Sequence, residues 1–149
     1  MNKFTFSLQG VLNAKSKIED SARTELSRLI AEEARIEAAI DRLSDTRRAH
    51  DDHFRQGLGS GLSVVWLRAA HKYAAELTRQ IAHHCHQASQ AEEKVQAQRD
   101  QVIERTKERR CFEALRQRRH TAYRRESLRA QYNEIDEIFS TRRKEPQDG

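Results

Sequence analysis

Proline is almost missing from this chain: the single one, Pro146, lies near the C-terminus. Glycine is scarce too, and three of the five glycines fall within Gly57-Leu58-Gly59-Ser60-Gly61. Proline costs a helix interior about 3 kcal/mol and glycine about 1 kcal/mol relative to alanine. Helix therefore meets no breaker from Val11 to Gln56 or from Leu62 to Glu145, and it cannot run through the glycine cluster. Apolar residues are few, 36% hydrophobic against 34% charged, which is too little for a thick globular core and suits a narrow seam between two helices. No window of about 18 apolar residues exists, so no membrane-spanning helix is expected. The first residues contain no apolar h-region, so export by the general secretory route is not expected either. Cys85 and Cys111 follow no metal or redox spacing. On one helix they stand about 39 Å apart at ~1.5 Å per residue, too far to bridge within it. Reduced thiols suit a cytoplasmic protein. The chain also lacks a glycine-rich phosphate loop, an HExxH pair and a nucleophile elbow, so neither enzyme activity nor a cofactor is expected.

What is present is periodicity on both sides of the glycines. A 3-4 alternation in the second arm runs Leu67, Ala70, Ala74, Leu77, Ile81, His84, Ala88, Ala91, Val95. The first arm carries Ala22, Leu26, Leu29, Glu33, Ile36, Ile40, Leu43, Arg47, His50. Paired antiparallel, Leu67 meets His50, Leu77 meets Ile40, Ile81 meets Ile36 and Val95 meets Ala22, centred at Leu58–Gly59. In this register large residues face small ones, as at Leu43 with Ala74, and Glu33 faces His84 as a polar pair that fixes the register. The predicted fold is all-α: an antiparallel two-helix coiled-coil hairpin with a longer second helix. Helix 1 is expected over about 4–56, the turn over 57–61, helix 2 over about 62–140 and a polar tail over 141–149, all in one domain.

Ser63 is placed to cap the second helix, and Leu62–Leu67 is its most hydrophobic window. Trp66 either plugs the hairpin end against Phe54 or belongs to an exposed docking patch there. His83-His84-Cys85-His86 resembles a metal box, yet neighbouring helical residues point about 100° apart and only His83 and His86 share a face. Solvated histidines around one seam position are the expectation, and no metal.

From Arg99 the chain turns basic, through Arg105, Lys107, Arg109, Arg110, Arg116, Arg118, Arg119, Arg124, Arg125 and Arg129. Such a run fits a solvated face, recognition of an acidic protein surface, or nucleic acid. Because arginines fall on all sides of the helix, nucleic acid is not expected. The arms are unequal, roughly 80 Å against 117 Å at ~1.5 Å per residue. The register sets Phe4 opposite Glu113, so residues 114–140 have no intrachain partner, although they carry Leu115, Tyr123, Leu128, Tyr132, Ile135, Ile138 and Phe139. Apolar residues on an unpaired helix imply a missing partner. The partner surface is expected at Arg118, Arg119, Tyr123, Arg124, Arg125, Leu128, Tyr132 and Ile135.

The opening Phe4-x-Phe6-x-Leu8-x-x-Val11-Leu12, the charged first arm, the glycine break, Trp66 heading the second arm, the arginine run and the ending Asn133-Glu134-Ile135-Asp136-Glu137-Ile138 together resemble the FliJ family over nearly the whole chain. The resemblance implies a small, monomeric, cytoplasmic component of flagellar type III export, peripheral to the inner membrane, with counterparts in virulence secretion. It implies a hairpin similar to the central stalk of rotary ATP synthases. Its terminal end inserts into the hexameric export ATPase, and the early second helix meets the cytoplasmic domain of the export gate. Export chaperones are further partners, and no membrane insertion is implied. The gate stripe of the family maps to Tyr73, Leu77 and His84, with Gln80 where a small residue is expected. Leu77 and His84 are also seam positions, so they are either shared between seam and partner or the register rotates near the turn. Two other readings stand beside this one: a scaffolding coiled coil that homodimerises through the overhang, and a basic nucleic-acid-associated rod.

Overall fold

The computed structural model describes residues 3–61 and 63–142. Of the described residues 92% are helical and none is in a strand. Helix α1 spans Gln9–Gly57 and helix α2 spans Val64–Arg142. They pack as an all-α helical hairpin, as the periodicity predicts. The chain forms two compact units, one of residues 20–103 and one of residues 1–19 with 104–149, each containing a stretch of both helices. Leu62 and residues 143–149, most of the expected polar tail, lie outside the described residues.

In the unit of residues 20–103 the glycine cluster ends α1 as expected. Gly57 is the last helical residue, its carbonyl accepts from Ser60 N at 3.1 Å and from Ser60 Oγ at 2.8 Å, and Gly61 takes φ of +71°. That positive φ is easy for glycine and costly for a residue with a Cβ. Ser63 restarts the helix by accepting Trp66 N on its Oγ at 3.2 Å, which satisfies one of the amides that a first turn leaves unpaired. Every seam position proposed above is buried or half-buried, with Leu77 and Val95 deepest at 4% and 2% exposure.

The register differs from the expected one by about one turn. Phe54 stacks on Trp66 at 5.6 Å between ring centroids, His50 Nε2 bonds Ala70 O at 3.0 Å, Arg47 donates to Ala74 O at 3.2 Å, and Gln98 donates to Ala22 O at 3.0 Å. These couples centre on Ser60, because Gly57 belongs to α1 and the break runs on to Ser63. His50 therefore meets Ala70 where Leu67 was expected, and Ala22 meets Gln98 where Val95 was expected. The large-against-small matching persists at other partners. Ala70 and Ala74 are short enough for His50 and Arg47 to reach over them to main-chain carbonyls. Glu33 and His84 do not pair as expected: Glu33 borders a shallow groove with Ala88, Ser89 and Cys85, and His84 Nδ1 bonds Gln87 Oε1 on its own helix at 3.0 Å. Trp66 is the plug of the hairpin end.

In the other unit the first described residues are non-helical. Residues 3–6 are irregular, a turn closes with Gln9 N donating to Phe6 O at 3.0 Å, and α1 starts later than the Phe4–Leu8–Val11 stripe suggests. The alternation Phe4-Thr5-Phe6-Ser7-Leu8 suits extended chain, which sends both phenylalanines to one side. Phe4 meets His120 edge-on at 5.0 Å and Tyr123 at 5.5 Å, and the Arg119 guanidinium lies 5.7 Å from the centre of the buried Phe6 ring. That corrects the expected overhang: Phe4 reaches past Glu113, and the helix from Leu115 to Tyr123 has intrachain partners. The polar layer that orders this unit was not anticipated. Glu19, 2% exposed, accepts from Thr106 Oγ1 at 2.9 Å and from Arg109 Nε, while Arg109 also holds Glu113 at 2.6 Å and Lys15 pairs with Glu108 at 2.8 Å.

Candidate functional site

Two surfaces of α2 remain as candidates, one in each unit. The first is the far end of the helix. From Arg124 to Thr141 every residue except Ser127 is exposed. Leu128, Tyr132, Ile135 and Phe139, at 50%, 67%, 47% and 66% exposure, recur at 4-3-4 spacing and so share one helical face. Arg124 and Arg125 stand one turn before Leu128, and Arg129 one turn before Tyr132. An apolar stripe this open, with guanidiniums beside it, is a candidate contact surface. Arg118 is exposed as well. Two of the expected contact residues are engaged internally: Arg119 donates to Ser7 Oγ at 2.9 Å over Phe6, and Tyr123 packs on Phe4.

The second surface is the stripe Tyr73, Leu77, Gln80, His84. The structure divides it. Tyr73 is 49% exposed and touches His50 edge-on at 5.1 Å, whereas Leu77 is 4% exposed inside the seam. His84 and Gln80 are half-buried. Gln80 Nε2 donates to Glu76 Oε1 at 3.0 Å, and Arg79 grips the same carboxylate at 2.6 Å. The Arg79 hydrogen bond, with that of Gln80 behind it, lowers the Glu76 carboxyl to about 2 from an ordinary 4.5. A carboxyl depressed in the folded state stabilises above its unfolded pKa and loses that contribution as pH falls through its folded value. Helix stability near the stripe is therefore expected to decline from pH 4.5 towards 2, and Glu76→Gln should remove that part of the decline. The pair is exposed to solvent, so the effect is small, and melting followed by circular dichroism against pH, with and without added salt, measures it.

His83 and His84 rings contact at 5.8 Å, Gln90 bonds His86, and among the described residues no group of three or more His, Cys, Asp or Glu is placed to hold an ion. Both cysteines are free and exposed. Among the described residues no helix is long and apolar enough to cross a membrane.

The sequence matches the family model described as "Flagellar FliJ protein" over residues 4–145, nearly the whole chain. The chain belongs to the FliJ family. Comparisons with the curated proteins and with the solved structures give no significant match. Membership makes the chain a component of flagellar export, in a non-enzymatic structural family whose helical fold agrees with α1 and α2. The signal that sequence reasoning missed within this FliJ protein is the alternation of Phe4 and Phe6. It fits non-helical chain, and in the structure that segment contacts α2 as far as Tyr123.

Proposed function

We propose that this FliJ protein is a stalk-like coupling component of flagellar type III export, with the end of α2 entering the hexameric export ATPase. The observation that carries the reading is the exposed stripe Leu128–Tyr132–Ile135–Phe139 with Arg124, Arg125 and Arg129 beside it. Apolar contacts grip the lining of a ring, and guanidiniums meet acidic loops there. A single helix is also only about 10–12 Å across. The cytoplasmic domain of the export gate is the second partner, and Tyr73 and His84 are the residues of the family stripe that α2 offers it. Leu77 supports that surface from within the seam. Cytoplasmic location beside the inner membrane follows from these partners.

The experiment is turnover of the cognate ATPase with increasing amounts of this protein. Arg124→Glu with Arg125→Glu is expected to reduce stimulation about tenfold or more, and wild-type binding is expected to weaken with salt. Circular dichroism confirms that the variant is folded. Undiminished stimulation by a folded variant overturns the assignment. The same stripe suits a second copy of the chain, so light scattering should show a monomer. A dimer abolished by Tyr132→Glu favours the scaffolding reading instead.

A further inference from the structure

The first turns of α2 place apolar side chains outward as well as inward. Trp66, Leu67 and Ala70 turn into the seam, whereas Val64 and Val65 are 70% and 79% exposed. Arg68, Ala69 and Lys72 are exposed on the same outer face, since 64-68-72 and 65-69 are i,i+4 rows. Between the two rows runs a shallow groove of about 300 Å³ lined by these five residues. Local helix stability does not account for the choice of side chains. Valine loses χ1 freedom in a helix, and a first turn is served better by acidic groups that meet the helix dipole. Here the first turn contains no acidic residue. Glu76, one turn beyond the groove, has its carboxylate held by Arg79 and Gln80.

We propose that this groove is a docking surface for an acidic amphipathic helix of a partner protein. Three observations select that occupant. The two rows, one of them dropping from Val65 to the small Ala69, give the ridge-and-groove relief that seats another helix, with valines for its apolar edge. Arg68 and Lys72 flank the valines as basic residues flank a coiled-coil seam, and the positive end of the α2 dipole adds to them, so the complementary charge is negative. A bilayer needs a broader apolar face than two valines supply. The surface shares no residue with Tyr73, Leu77 and His84, although Tyr73 continues the 65-69 row, and it stands independently of the ATPase assignment.

The test uses the full chain, isotope-labelled for amide and methyl NMR, and three probes. These are a synthetic helical peptide with a leucine stripe flanked by glutamates, the same peptide with lysines in place of the glutamates, and vesicles of phosphatidylglycerol. The glutamate peptide is expected to shift the Val64, Val65 and Ala69 signals, and the lysine peptide and vesicles to leave them unmoved. Arg68→Glu with Lys72→Glu should weaken the glutamate peptide about tenfold or more, and Val65→Asp should do the same. All these side chains are exposed, so folding is expected to persist, and circular dichroism checks it. Equal binding of the lysine peptide overturns the proposal. So do shifts by the glutamate peptide confined to other parts of α2, or valine shifts caused by the vesicles and not by the peptide.

Discussion

Removing residues 124–149 is expected to abolish stimulation of the cognate export ATPase while leaving the helical hairpin folded. Of residues 124–141 only Ser127 is not exposed, so their removal uncovers little. The deleted segment nevertheless carries Leu128, Tyr132, Ile135 and Phe139, the apolar stripe assigned to the ring. A longer deletion from residue 114 behaves differently. It removes Arg119, His120 and Tyr123, on which Phe4 and Phe6 pack, and exposes two phenylalanines that the structure covers. That truncation should melt earlier and show faster amide exchange around residues 3–12, whereas the shorter one should change both much less. Turnover measured with each variant, beside melting curves, separates the outcomes. Full stimulation by the chain lacking 124–149 means that the far end of α2 is not the working end.

Leu77→Ala is expected to cost about 2–4 kcal/mol of stability, the usual range for opening a cavity around a buried leucine. Val95, at 2% exposure, is another position of this kind. Ile36, Ile40 and Ile81 are only half-buried, so alanine there should cost less than at Leu77. The contrast with Tyr73 decides how the gate surface is read. Tyr73→Ala should leave stability within about 1 kcal/mol of wild type, since the ring is half exposed and touches mainly His50. Under the proposed gate contact it should also lower affinity for the cytoplasmic domain of the gate directly. Leu77→Ala then acts on the gate through the seam, and the loss should be largest near the melting temperature and shrink on cooling. Denaturant unfolding of both variants, with gate binding at two temperatures, tests this. A stable Leu77→Ala variant that fails to bind the gate would show that Leu77 is exposed to the partner and that the seam is misread.

Most of the architecture was legible because helix is a local property. A chain with one proline, and with its glycines gathered at one place, can do little but form two long helices, and the 3-4 spacing names the residues that face inward. Ser63 as the cap of α2 and Phe54 against Trp66 at the turn follow from the same local reading, and the structure shows both. The apolar content of Leu128, Tyr132, Ile135 and Phe139 was equally plain, although the expected overhang of 114–140 began too early.

The register and the true start of the free end were not local. Two regular 3-4 patterns pair almost equally well one turn apart, and the choice rests on groups that periodicity does not weigh. Arg47 and His50 reach carbonyls only where Ala70 and Ala74 lie opposite, and Glu19 is satisfied only beside Thr106 and Arg109. A buried carboxylate without those partners would be costly, which makes such a layer sensitive to register. Phe4 and Phe6 fit a helical stripe and an extended alternation alike, and in the structure they are non-helical and contact His120, Tyr123 and Arg119. The sequence by itself thus determined that this chain is a pair of helices with an apolar, arginine-flanked end. Tertiary packing decided which turn faces which, and how much of that end is left for a partner, because hydrogen bonds across the seam distinguish registers that hydrophobic spacing leaves nearly equal.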